Sequence, residues 1–140
     1  MIGGYIFFRE NVGIMDRLNK VLGESYSRIP CGDTGFLFHD NPFSDFETAV
    51  YSSEGLTMLS QDLLVTSNSD GDYASLDLRQ DFPELFLHKK VEAFHDIVSD
   101  YRMIIIECGK EDTDLYLVSN RAGNGRMYYY TTESGILFSS

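Results

Sequence analysis

The chain has no tryptophan, and its 140 residues include only two cysteines, three prolines and three histidines. Cys31 and Cys108 stand far apart with no metal-type pairing, which fits free thiols in a reducing compartment rather than a disulfide framework. No apolar run approaches the ~20 residues that span a bilayer, and the N-terminus lacks the basic region and cleavage site of a signal peptide. Basic residues are also scarce. Eleven Lys and Arg against 22 Asp and Glu give a formal charge of −11 and a pI near 4.5, so a nucleic-acid backbone or an anionic membrane would repel the chain. No internal repeat, low-complexity stretch or linker interrupts it. These absences point to an acidic cytoplasmic protein that binds neither nucleic acid nor membrane.

What the chain does contain is apolar and aromatic side chain: 43% hydrophobic residues, with nine tyrosines and ten phenylalanines. That is enough for one domain over residues 1–140 with a real core. Short apolar runs bounded by turn residues read as strands at Gly3–Phe8, Gly35–His39, Thr48–Tyr51, Leu56–Leu59, Asp62–Ser67, Tyr101–Cys108, Leu115–Val118, Met127–Thr131 and Ile136–Ser139. Ile14–Leu22 places Ile14, Met15, Leu18, Val21 and Leu22 on one helical face and ends at Gly23. Pro83 suits the first turn of a helix within Leu76–His88. The spacing of Val91, Phe94, Ile97 and Val98 predicts another sheet-covering helix over Val91–Val98. Strands in runs with helices to cover them predict an α+β fold.

Few residues offer chemistry. Cys31 lies in the loop-like run Pro30-Cys31-Gly32-Asp33 and is the only cysteine expected to be exposed, but no histidine stands near it in sequence to act as base. Cys108 closes an apolar run and reads as a buried thiol. His39, His88 and His95 are scattered, and His95 beside an apolar stripe reads as structural. Asn68-Ser69-Asp70-Gly71-Asp72 gathers oxygen ligands, yet its glycine comes one place early for a calcium loop and its flanks look like strands. It reads as a solvated acidic turn. No metal ligand set is assigned.

The most specific pattern is at the end, LYLVSNRAGNGRMYYYTTESGILFSS. Leu117, Arg121, Gly123, Tyr128 and Tyr129 stand in the spacing L-A-R-D-R-x-G-x-x-P-L-Y-Y, with Asn120 in place of its aspartate, Arg126 of its proline and Met127 of its leucine, and Gly135, Phe138 and Ser139 fit G-x-x-F-A-S. This resembles the end of the glutaminase domain of asparagine synthetases, a class II glutamine amidotransferase domain. Asp100 and Met103 fit the strand that precedes it. The resemblance implies an N-terminal-nucleophile (Ntn) hydrolase-like sandwich of two stacked antiparallel sheets covered by helices. It makes Asn120, Arg121, Gly123, Tyr128 and Tyr129 structural members of the family motif.

The same resemblance implies that the glutamine site is gone. Active members begin Met-Cys-Gly-Ile, lose the methionine and attack with the cysteine thiolate. This chain begins Met1-Ile2-Gly3-Gly4, so Ile2 occupies the nucleophile position and no catalytic residue is assigned. Isoleucine has no heteroatom to attack an amide, and its bulk favours retention of Met1. His39 runs into Asp40-Asn41-Pro42 where the family carries an arginine for the glutamine carboxylate. The family's glycine-serine-aspartate run is missing between Leu76 and His88. Asn68 and Gly71, three apart, stand where the family's adjacent Asn-Gly builds an oxyanion hole; with Gly3 they are the candidates for lining a residual ligand cleft.

The expected function is a degenerate, non-hydrolytic glutaminase-like domain of an asparagine synthetase-related, amide-forming protein, serving as scaffold or docking domain. Members that lost the cysteine, such as β-lactam-forming synthetases and lasso-peptide cyclases, keep it beside a domain that activates a carboxylate with ATP. No S-G-G-x-D-S loop is present, so no cofactor is expected in this chain, and ATP and Mg only where a synthetase domain follows. Its partner would be that synthetase domain, in cis or in trans, or another protein; a homo-oligomer is left open. A standalone module binding a small ligand or protein in the vacated cleft is the alternative. A hydrolase acting through Cys31 ranks third.

Overall fold

The structure, a computed structural model, describes residues 1–8, 12–40, 48–120 and 125–140. It is a mixed α/β protein built mainly of antiparallel sheet with two short helices. Among the described residues eleven strands run in chain order: β1 (Ile2–Phe7), β2 (Tyr26–Cys31), β3 (Gly35–Asp40), β4 (Thr48–Ser53), β5 (Leu56–Gln61), β6 (Leu64–Ser67), β7 (Tyr73–Leu76), β8 (Arg102–Cys108), β9 (Thr113–Ser119), β10 (Tyr128–Thr131) and β11 (Gly135–Ser139). The helices are α1 (Val12–Leu22) and α2 (Asp81–Lys89). No helix among the described residues is long and apolar enough to cross a membrane.

The first sheet has the order β10-β11-β1-β3-β2 and the second β4-β5-β8-β9, while β6 and β7 form a separate hairpin. Side chains alternate faces along each strand, and that alternation builds three cores. Ile2 and Ile6 of β1, Leu37 of β3 and Phe138 of β11 share one cluster with Leu59 of β5 and Ile104 and Ile106 of β8, so the two sheets face each other. The opposite face of β1 and β3, carrying Tyr5, Phe36 and Phe38, packs under Ile14, Met15 and Leu18 of α1. The opposite face of the second sheet, carrying Met58, Met103 and Ile105, packs under Phe82 and Phe86 of α2. The layer order is α1, first sheet, second sheet, α2.

Local chemistry explains most boundaries. Gly23 takes φ 58° just past α1, the left-handed turn that ends helices at little cost in glycine. Gly35 and Gly135 flank β1 so closely that a Cβ on either would fall on a β1 carbonyl oxygen, that of Tyr5 or Ile6. Phe82, Phe86, Phe94 and Tyr116 form a ring cluster with centroids 5.2–6.3 Å apart, one pair stacked and the others tilted or edge-on, in the range over which aromatic rings attract.

Several sequence expectations are corrected. Val91–Val98 is not a helix: Lys90–Phe94 forms a single 3-10 turn, Val91 and Val98 are more than half exposed, Ala93 and Ile97 are buried in the core, and Phe94 packs against it half-buried. The covering helix on that side is α2, with Pro83 in its first turn. Val21 of α1 points to solvent, because the apolar stripe is narrower than its spacing implies. Asp62 takes φ 80° and turns the chain, so β6 starts at Leu64. Tyr26–Cys31 and Tyr73–Leu76 are strands where none was expected. Pro30 sits in β2 at a sheet edge, where a missing N–H is tolerated.

Candidate functional site

The start of β1 is the natural place to look for chemistry. Ile2 is 0% exposed, its side chain wedged between the sheets against the cluster of Leu37, Leu59 and Ile104. Its backbone is fully engaged: the Ile2 N–H donates to the Ser140 hydroxyl at 3.1 Å, and its carbonyl accepts from the Ser140 N–H at 2.8 Å. The Met1 ammonium lies 2.6 Å from Asp40 Oδ2, and the Met1 carbonyl accepts from the Asp40 N–H at 3.2 Å. An aliphatic side chain in the core with both peptide groups paired has nothing to offer a substrate. Two polar atoms on strands at this end, Asp40 Oδ1 and Gln61 Oε1, are buried without a hydrogen-bond partner.

The three cleft candidates do not converge. Gly3 is filled by its neighbours: a Cβ there would strike the Phe38 ring on the α1 side and the Phe138 carbonyl oxygen. Its lack of side chain serves packing within the first sheet. Asn68 and Gly71 lie instead at the tip of the β6–β7 hairpin, whose base joins the core on the α2 side of the second sheet through Leu64. Their polar groups serve the turn itself. Asn68 Oδ1 accepts the N–H groups of Asp70 at 3.0 Å and Asp72 at 2.9 Å, and the Gly71 N–H donates to the Asn68 carbonyl at 3.1 Å. The Asn68 donors are directed within the turn as well, its N–H to the Asp72 carbonyl at 3.0 Å and Nδ2 to Asp72 Oδ2 at 3.4 Å, so this Asx-type turn engages the groups an oxyanion site would need.

The motif residues divide similarly. Asn120, just past β9, donates through Nδ2 to the Asp100 carboxylate, and its N–H donates to the Tyr101 carbonyl at 3.3 Å. That pair ties the end of β9 to the start of β8. Tyr128 and Tyr129 stand exposed on β10. Arg121 and Gly123, like Asn41 and Pro42, lie outside the described residues.

Cys31 is a second correction. It is the last residue of β2, buried at 3% exposure in the inter-sheet core rather than displayed on a loop. Burial pushes its thiol pKa up, a hydrogen bond with Thr57 opposes that rise, and the nearby Cys108 adds to it. A protonated, enclosed thiol is a poor nucleophile. Cys108 is half-buried rather than buried. The sequence gives no hint that the two cysteines share one cluster with Thr34, whose hydroxyl donates to the Cys31 carbonyl at 2.7 Å. His88 and His95 are exposed, and His39 Nδ1 engages the Asp40 carbonyl at 2.9 Å.

Two cavities open on the outer face of the second sheet. One, of about 450 Å³, is lined by Leu56, Leu87, Lys90, Glu107, Cys108 and Tyr116 among others. Lys90 Nζ lies 2.5 Å from Glu107 Oε1 and 5.4 Å from the Phe86 ring centre. Tyr116 has its phenol pKa raised by burial and then by the Asp114 and Glu107 carboxylates. The other, of about 270 Å³, lies at the base of the β6–β7 hairpin beside Asp62, Leu64 and Arg79. Among the described residues no group of three or more His, Cys, Asp or Glu is placed to hold a metal ion. Against known families, curated proteins and solved structures, the chain has no match.

Proposed function

We propose that this chain is a degenerate glutaminase-like domain of the Ntn-hydrolase type, related to asparagine synthetases, that no longer hydrolyses glutamine and serves as a scaffold or docking domain for amide-bond formation. The observation that carries the reading is Ile2: the first strand begins where the resembled family keeps its nucleophile, and here that position holds a wholly buried aliphatic side chain. The layering of two facing antiparallel sheets between helices supports the fold assignment, and Tyr128 and Tyr129, in the spacing of the family motif, support the family. Asn68 and Gly71 supply no second argument for a retained glutamine site, since their N–H groups and Asn68 Nδ2 are engaged within the hairpin.

The deciding experiment recovers the native polypeptide from its source cells with an antibody raised against these residues. Adenylate formation is then assayed by carboxylate-dependent pyrophosphate exchange. A product well above 15.9 kDa, or one that co-purifies with an exchange activity, is the expected outcome. A native species of 15.9 kDa without exchange activity overturns it.

The 450 Å³ cavity favours one alternative, a standalone binding module, because its volume falls in the range of small-ligand sites. That module would bind on the α2 side of the second sheet, away from the vacated position at Ile2. A compound that raises Tm without being consumed, and loses this effect in Leu87→Glu, is the outcome that would favour it.

A further inference from the structure

Edge strands expose unpaired peptide groups, and proteins usually guard them with charge, proline or a covering element. The two edges of the first sheet differ in this respect. At one edge, β2 carries Arg28 and Pro30. At the other, β10 reads Tyr128-Tyr129-Tyr130-Thr131, with no charge and no proline, and all four residues are exposed. The three tyrosines are 57%, 72% and 68% exposed. Among the described residues β10 pairs only with β11, through the register Tyr129↔Phe138 and Tyr130↔Leu137.

We infer that β10 is a homodimer interface, in which two copies of this chain pair their β10 strands antiparallel about a two-fold axis perpendicular to the sheet. A two-fold of that kind keeps each face of the sheet continuous, so a residue must stand opposite one of the same face. Centring it on Tyr129 meets this condition and matches tyrosine to tyrosine throughout: Tyr129 faces the partner's Tyr129, and Tyr128 faces the partner's Tyr130. Aromatic cross-strand pairs of this kind stabilise sheets.

Charge supports the same occupant. The chain carries −11 overall, which opposes self-association in general, but β10 is neutral and its ends have opposite signs. Exposed Arg126 precedes the strand, and exposed Glu133 follows it in the turn to β11. Antiparallel pairing brings Arg126 of each copy beside the turn that carries the partner's Glu133, once at each end. Cross-strand contact adds to this, since the three exposed tyrosines of each copy would lie beside their counterparts on the continued sheet faces.

The test is sedimentation equilibrium of the full chain from about 1 to 200 µM, a range that brackets weak dimers. Wild type should associate to twice 15.9 kDa. Tyr129→Lys should weaken the dimer at least about tenfold, and Arg126→Glu should weaken it measurably. Combining Arg126→Glu with Glu133→Arg should restore it. Near-UV circular dichroism confirms that each variant is folded. A monomer across the whole range, a dimer indifferent to Tyr129→Lys, or a double charge reversal that restores nothing would each overturn the inference.

Discussion

Thr34 holds its hydroxyl 3.3 Å from the Sγ of Cys108, across 74 positions of sequence. The same hydroxyl donates to the Cys31 carbonyl, which leaves its oxygen free to accept from the Cys108 thiol. Both cysteines therefore belong to one buried, hydroxyl-lined corner of the inter-sheet core, but they differ in access. Cys108 is half-buried and lines the 450 Å³ cavity, whereas Cys31 is enclosed. Iodoacetamide at neutral pH should modify Cys108 at least about tenfold faster than Cys31 in the folded protein. Peptide mapping checks this, and equal rates would contradict the enclosure of Cys31.

The Cys31 thiol also predicts a pH dependence. Burial raises its pKa in the folded state above that of the unfolded chain, so the folded protein keeps a proton that the unfolded chain releases. The associated stability is complete below the ordinary thiol pKa of about 8.5. It is lost as pH rises beyond that value and through the folded one. Urea denaturation in reductant between pH 7 and 9.5 should show a decline that is smaller in Cys31→Ala. Identical declines in both proteins would assign the effect elsewhere.

Ile2 separates folding from catalysis. Ile2→Ala removes buried apolar volume and should cost about 2–5 kcal/mol, read from the urea midpoint. Ile2→Cys restores a thiol to the position and removes the bulk that favours retention of Met1, but it leaves the side chain between the sheets. It should release no ammonia from glutamine. Sustained glutaminase activity in Ile2→Cys would mean that the rest of a glutamine site persists.

Two glycines next to β1 should be far less replaceable than one in a turn. Gly35→Ala drives a methyl group onto the Tyr5 carbonyl within the β1–β3 pairing, and a loss of about 3 kcal/mol or more is expected. At Gly23 a Cβ meets nothing within 4 Å, so only the φ of 58° penalises alanine, by about 1–2 kcal/mol. Comparable losses at the two sites would argue against the close approach of β1 and β3.

Much of the sheet framework is legible in sequence because it depends on local pattern. Met103-Ile104-Ile105-Ile106 is apolar on both faces since one face meets the first sheet and the other meets α2. β2 is illegible for the complementary reason. At an edge it tolerates Arg28 and Pro30, so its composition resembles a loop and conceals the burial of Cys31. The Val91–Val98 spacing misleads because Lys90, at φ 51°, ends α2 and the chain beyond it makes only a 3-10 turn. The candidate site was least legible. Asn68 and Gly71 are turn formers by composition, and only the hydrogen bonds of the hairpin tip show that their donors are already used. The Thr34, Cys31 and Cys108 corner and the Lys90–Glu107 pair are long-range contacts with no sequence signature.

The place of β1 in the first sheet has a consequence for how the protein acquires its structure. β1 is flanked by β3 on one side and by β11 on the other, so β1 cannot gain both neighbours until β11 has been made. The β4, β5, β8 and β9 sheet closes through neighbouring hairpins and one intermediate excursion. The β1–β11 seam spans nearly the whole chain, with Ile2 bonded to Ser140 across 138 positions. Such non-local closure carries a large loop entropy and slows folding. Until it completes, Ile2, Ile6 and the free edge of β1 stay uncovered, which makes the nascent chain dependent on chaperones until β11 pairs.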